Sequence, residues 1–216
     1  MGPSKKRCKE DEGVLKCALQ MGKKGYIFDL RDVNSMKNAA SKGGGYETEA
    51  NYSLWTRINK NCDRFDQLHQ SLSKLIDACC GDFNSAAANI DKWLSKLESS
   101  NWPAITRQVS HVAACIADKM HNKNGCVVMH GFEGTDNTLI ISSIVQLLLN
   151  PECRTIKGFE MLIEREWLQA GHPFFKRCFK SAYGSTVQKS EGPVFLLFLD
   201  CVRIVSTIFL VVEGNR

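Results

Sequence analysis

Ten cysteines occur in the 216 residues, yet no two are spaced Cys-x-x-Cys. That absence argues against a zinc ribbon, and the irregular positions do not suggest a secreted disulfide framework. No apolar stretch follows the basic start Met1-Gly2-Pro3-Ser4-Lys5-Lys6-Arg7; Cys8-Lys9-Glu10-Asp11-Glu12 comes next, so no signal peptide is expected. Gly2 lacks the Ser or Thr that myristoylation wants at position 6, where Lys6 stands. Without a secretory route, the sequon Asn51-Tyr52-Ser53 is a chance match and the thiols are expected reduced and mostly half-buried, in a cytoplasmic protein. Long charge-free apolar runs are missing too. Val194 to Val212 has transmembrane length, but Asp200 and Arg203 lie inside it, so a buried helix is expected instead.

Further absences narrow the chemistry. The five histidines, His69, His111, His121, His130 and His172, show no metal-ligand spacing, and neither His-Glu-x-x-His nor Gly-x-Ser-x-Gly occurs. No metal or other cofactor is expected. There is no internal repeat, no low-complexity stretch and no sustained heptad pattern. The net charge of +5 is a mild bias that suits an anionic ligand or membrane surface, but it falls short of a nucleic-acid footprint.

What remains is an ordinary globular composition, 44% apolar and 24% charged. Gly25-Tyr26-Ile27-Phe28-Asp29-Leu30 reads as a buried strand, and Cys126-Val127-Val128-Met129 as another. Lys42-Gly43-Gly44-Gly45 marks a loop, a weak phosphate cradle because no Lys-Ser/Thr pair follows. Phe65, Leu68, Leu72, Leu75, Ile76 and Cys79 recur at helical spacing. So do Ile105, Val109, Val112, Ala113, Ile116 and Met120, after Pro103 in a first turn. Leu139 to Leu149 is apolar nearly all round, which requires burial on several sides, and Asn150-Pro151 stops it. Phe159 to Ala170 predicts one more helix, with Gly171 just past its end. Strands and helices interleave, so an α/β fold is expected, a central sheet flanked by helices.

The segment that narrows function most is strand, tight loop, buried helix: Val127-Val128-Met129-His130, then Gly131 to Asn137, then Thr138 onward. Backbone N–H groups and aligned peptide dipoles at a helix N-terminus favour phosphate. Cysteine-dependent phosphatases place a Cys at the loop's first position, where that field lowers its pKa, and an Arg six residues later to grip phosphate oxygens. Here position 131 is Gly and position 137 is Asn. Cys126 lies on the wrong side of His130 to replace the nucleophile and reads as a structural thiol.

The loop His130-Gly131-Phe132-Glu133-Gly134-Thr135-Asp136-Asn137-Thr138 resembles that of the myotubularin family of phosphoinositide 3-phosphatases. Active members read His-Cys-Ser-Asp-Gly-Trp-Asp-Arg-Thr there; the His, Gly, Asp and Thr match, and the Cys and Arg do not. Supporting matches are Arg7 to Glu12, Gly43 to Glu47, Trp93 to Trp102 and, most specific, the run Arg154 to Phe174. The degenerate loop is similar to that of the catalytically inactive subgroup. The resemblance implies a partial cysteine-phosphatase-like domain over residues 7–201, with an unmatched extension at 1–6 and a divergent tail at 202–216. It also implies that no residue is catalytic: the nucleophile is lost at Gly131 and the arginine at Asn137. Asp136 aligns with an acid that moves protons in active relatives, and Glu133 stands near a second such position. With no thiol to attack, both are expected to cap the helix and complement its positive end.

By the same resemblance, inactive myotubularins pair with active ones and raise their activity or stability. They thereby influence phosphatidylinositol 3-phosphate and phosphatidylinositol 3,5-bisphosphate on endosomal and autophagic membranes. An active myotubularin is therefore the expected partner. A weak phosphoinositide contact is a second expectation, opposed by the negative charge of Glu133 and Asp136; Arg154, Lys157 and Arg165 read as a solvated helix face. In the family, pairing leans on a coiled coil beyond the phosphatase region, and a lipid-binding domain precedes it. The chain reads as the central and C-terminal part of a larger phosphatase domain, cut at both ends. Two other readings stand beside this one: an active lipid phosphatase with an unusual nucleophile, and a truncated product without independent function.

Overall fold

A computed structural model describes residues 8–19, 23–42, 45, 47, 48, 50–62, 65–80, 88–178 and 191–214. Along the chain come α1 (Lys9–Ala18), β1 (Gly25–Asp29), α2 (Val33–Ser41) and β2 (Trp55–Asn59). Next are α3 (Phe65–Cys79), α4 (Ala88–Ser99), α5 (Trp102–His121) and β3 (Cys126–His130). α6 (Asn137–Leu149), α7 (Ile156–Ile163), α8 (Phe174–Arg177) and α9 (Val194–Gly214) follow. These elements form two compact units, one within residues 1–62 and 112–134, the other within 63–111 and 135–216.

The first unit is organised by a three-stranded parallel sheet in the order β2-β1-β3. β1 is central because it is apolar on both faces: Ile27, Phe28 and Leu30 are almost wholly buried, as a strand covered on two sides requires. Ile27 packs with Tyr52 and Trp55, and Leu15, Leu19, Cys126 and Val128 close around them. Gly25 opens the strand because a Cβ there would lie 2.3 Å from the Trp55 ring. Asp32 starts α2 by accepting from the Ser35 N–H at 2.8 Å. Neither α1, α2 nor β2 shows in the apolar pattern. Of the five residues of β2 only Trp55 is buried, so there is little alternation to read.

The second unit is helical. α6 buries Leu139, Ile140, Ile141, Ser143, Ile144, Val145 and Leu147, the many-sided burial its composition requires. Asn150 ends it, and its side chain accepts from the Glu152 N–H to start a 3₁₀ turn over Pro151–Arg154. Thr155 then caps α7, accepting from the Gly158 N–H at 3.0 Å, so this helix begins three residues before Phe159. Nor does it run on regularly to Ala170: from Glu164 to Gln169 it widens into a π-helical turn. Leu162 and Trp167 are both fully buried, and five residues of α-helix would set them about 140° apart at roughly 100° per residue. The wider turn brings both to one side, and the Trp167 indole N–H donates to Ser143 Oγ at 3.0 Å. Gly171 ends the segment at φ +82°, a left-handed conformation that favours glycine.

α9 buries Val194, Leu197, Phe198, Cys201 and Val205 but exposes Leu196, Leu199 and Ile208, so it is covered on one side rather than all round. The two charges that interrupt this run are both used. Asp200 accepts from the Trp102 indole at 3.0 Å, and Arg203 pairs with it at 3.1 Å. Among the described residues no helix is long and apolar enough to cross a membrane. All ten cysteines are free thiols; six are buried or half-buried, and Cys17, Cys79, Cys80 and Cys178 are exposed. Burial pushes the Cys201 thiol up to about 12, which keeps it protonated and inert. Gly43 and Gly44 of the glycine loop lie outside the described residues, as do residues 1–7.

Candidate functional site

Parallel strands end together, and the ends of their carboxyl side are where open α/β sheets place ligand-binding groups. In the first unit the register sets the last residues of the three strands side by side: Asn59 and His130 flank Asp29. The Asp29 side chain is fully buried. Its carboxylate accepts from Arg31 Nε and Nη2 at 2.9 Å each, from the Arg31 backbone N–H at 3.1 Å and from Arg57 Nη2 at 2.6 Å. Burial would raise its pKa, but the two guanidinium groups outweigh burial and hold the carboxyl well below the usual carboxylate range. Asn59 ties the ends together by donating to the carbonyls of Asp29 and Arg31, both at 3.0 Å.

His130 sits against this anchor. Its Nδ1 lies 3.9 Å from Asp29 Oδ1 and its Nε2 lies 3.3 Å from Glu47 Oε2. Burial works to raise the Glu47 pKa, and His130 and Arg31 more than reverse that. The residue that opens the loop thus lies between two carboxylates. Gly131 is half-buried, while Phe132, Glu133 and Gly134 are exposed, with Gly134 at φ +76°. Cys126, at the other end of β3, packs on the Ile27, Tyr52 and Trp55 cluster as a structural thiol.

In the second unit Thr135, Asp136, Asn137 and Thr138 lead into α6. Asp136 occupies the N-cap position, and its carbonyl accepts from the Leu139 and Ile140 N–H groups. Its side chain, however, makes no capping bond, which corrects the helix-capping role expected for it. The carboxylate is taken instead by Arg177 of α8, through Nε at 3.0 Å and Nη2 at 2.7 Å. Both side chains are almost enclosed, and a bidentate guanidinium is the strongest available partner for a carboxylate, so it displaces a neutral N–H. Glu133 lies in the other unit, three residues before that cap.

His172 adds a second hold on the loop's end. Its Nδ1 is 2.7 Å from the Thr135 carbonyl and 3.5 Å from Asp136 Oδ1. The ring is wedged edge-on against Trp167 and Phe174, at 4.9 and 4.7 Å between centroids. Burial holds its pKa below the ordinary histidine value, against the opposing pull of Thr135 and Asp136. The neutral tautomer with Nδ1–H donating to Thr135 satisfies this geometry. Thr138 Oγ1 is buried without a hydrogen-bond partner among the described residues.

The remaining cations of this unit are only partly a solvated face. Lys157 is exposed, but Arg154 donates to the Leu147 carbonyl at 3.2 Å, and Arg165 bonds Gln146 and pairs with Glu166. No group of three or more potential metal ligands occurs among the described residues. Sequence reasoning missed Asp29, Arg31, Arg57, Glu47 and Arg177 as parts of these sites. Asp29-Leu30-Arg31 directly after an apolar strand is the one signal that could have pointed to the first group.

Comparison with known proteins bears on these observations. The family described as "Myotubularin-like phosphatase domain" matches residues 1–211. Myotubularin-related protein 9 from Bos taurus and from Homo sapiens are each 50% identical over 201 residues, 93% of this chain and 36% of the relative. The Gallus gallus phosphatidylinositol-3,5-bisphosphate 3-phosphatase MTMR8 is 32% identical over 201 residues, 91% of this chain and 30% of that protein. The chain thus spans about a third of the length of the curated relatives it matches. The family match over nearly the whole chain accounts for the strand, loop and helix that join His130 to Thr138, and the chain belongs to the myotubularin-like phosphatase domain family.

Proposed function

We propose that the chain is part of a catalytically inactive myotubularin, a pseudophosphatase that binds and regulates an active phosphoinositide 3-phosphatase of the same family. The observation that carries this reading is Gly131 directly after β3. Glycine has no nucleophilic atom, so a covalent phosphoryl intermediate cannot form there. Asn137 supports it, because a neutral amide lacks the guanidinium fork that grips a transferring phosphoryl group. Asp136 supports it as well. A carboxylate bound at two points by Arg177 serves as an anchor, not as an acid that protonates a leaving group.

Regulation of an active relative would act on phosphatidylinositol 3-phosphate and phosphatidylinositol 3,5-bisphosphate at endosomal and autophagic membranes. The activity for which the Gallus gallus relative is named supports the substrate class. A weak phosphoinositide contact of the chain itself is also part of the proposal. Arg177 neutralises Asp136 and leaves Glu133 as the loop's other acid, so the loop repels an anion less than its sequence alone suggests.

Phosphate release from phosphatidylinositol 3-phosphate, followed with malachite green, tests the inactive state. The expected result is release no faster than the buffer control. Turnover that disappears when a residue of this chain is mutated would overturn the reading. Co-purification with an active myotubularin, with a rise in that partner's activity, tests the regulatory role.

A further inference from the structure

Between α9 and the turn that joins α6 to α7 lies a groove of about 600 Å³, wholly within the second unit. Nothing in the loop chemistry uses it. Its volume falls in the range of small-ligand pockets, roughly 300–1,000 Å³. The walls are apolar, built from Leu147, Phe159, Val202, Val205 and Phe209, and the buried thiol side of Cys153 contributes to the lining.

One part of the lining is different. Arg154 is fixed there: its Nη1 donates to the carbonyls of Leu147 and Leu148 at 3.2 and 3.5 Å, and its guanidinium lies 4.2 Å from the centroid of the Phe209 ring. Beside it Thr155 and Ile156 form the start of α7, whose aligned peptide dipoles add positive potential. Glu152 is the acid of the same turn; it is exposed and does not line the groove. The groove is therefore apolar along its length and cationic at the Arg154 and Thr155 end.

We propose that this groove binds a single-chain amphiphile with an anionic head, of the fatty-acid class. The acyl chain lies along Phe159, Val202 and Val205, and the carboxylate meets the Arg154 guanidinium. The pairing is one of charge complementarity at one end and apolar burial along the rest. A neutral chain would forgo the first and a small anion the second. This site is independent of the reading of the His130 to Thr138 loop, since it shares no residue with it.

The test uses cis-parinaric acid, a fluorescent fatty acid, titrated below its micelle concentration into the full chain. Saturable binding is expected. Arg154→Gln should weaken it about tenfold or more, the scale of one charge-assisted hydrogen bond, while leaving binding of the parinaric methyl ester unchanged. Ser206→Trp, at an exposed lining position of α9, should abolish binding of both probes. Ser206→Ala should bind as the parent does. Val202→Trp is a second plug should the first variant fail to fold. Equal affinity for acid and ester would overturn the anionic-head assignment. Parent-like binding in both folded Trp variants, or association only with phosphatidylcholine vesicles and not with the free probe, would overturn the site.

Discussion

Replacing Arg177 by Met roughly keeps the volume of the side chain and removes the charge and both N–H donors that Asp136 faces at 2.7 and 3.0 Å. Opposite unit charges about 4 Å apart attract by about 4 kcal/mol at an effective dielectric near 20. Removing one member of a buried pair costs about 3–5 kcal/mol, because the other charge is left without compensation. With an unfolding entropy of about 2.1 cal/mol/K per residue, this loss in a 216-residue chain corresponds to a fall in Tm of roughly 7–11 °C. The assay is thermal and urea unfolding followed by tryptophan fluorescence, since Trp167 sits beside His172 in the same unit. Asp136→Asn combined with Arg177→Met should cost less than the sum of the single changes, because no orphan charge remains. A single-variant loss under about 1 kcal/mol, or strict additivity in the double variant, would refute the claim that this pair anchors the loop's end.

Acidification should destabilise the chain in two steps. The folded pKa of His172 lies below its unfolded value near 6.5, so its contribution is full above that pH and is lost as pH falls below it, in unfolding measured between pH 7.5 and 5.5; His172→Gln should remove this step. Asp29 has a folded pKa far below its unfolded value near 3.9, so its contribution is lost only below about pH 4, and Asp29→Asn should shrink that second step, to which Glu47, also held low, contributes. Gly158→Ala should lower the urea midpoint, because the new Cβ would meet the Glu152 carbonyl oxygen at 1.9 Å, whereas Gly13→Ala in α1 meets nothing within 4 Å and should raise stability by about 0.5–1 kcal/mol. Trp167→Ala should cost about 3–5 kcal/mol by calorimetry, with the Ser143 hydroxyl losing its indole partner as well.

The elements legible in the sequence are those whose apolar residues decide their burial. β1, β3 and α6 follow from runs such as Ile27-Phe28 and Ile140-Ile141, which have no polar alternative to the core. α1, α2 and β2 were not legible, because each buries little of its own. α2 contains no fully buried residue, and it forms on the strength of the Asp32 cap and its place between two strands. The loop was legible as strand, turn and helix, and so was its first residue, Gly131. What sequence could not supply was the partner of Asp136. The cap position predicts a bond to the helix N–H groups, but an arginine 41 residues away outcompetes it. Such pairing depends on how α8 returns to α6, a tertiary fact with no local signature.

The widened turn between Glu164 and Gln169 holds one residue more than a regular helix needs over the same span. Deleting one residue between Glu164 and Glu166 would allow a regular helix to form, at no loss of backbone hydrogen bonding. Trp167 would then follow Leu162 by four residues, about 40° away at roughly 100° per residue, and so stay on the side where both are buried. The bond to Ser143 and the ring surface that seats His172 would be kept, whereas one inserted residue would swing Trp167 by about 100° from both. A point substitution in the same turn, at exposed Arg165 for instance, changes one surface group and leaves that alignment intact. Deletion and insertion scanning across 164–166 should therefore diverge sharply, tolerance in the first and loss of the folded unit in the second.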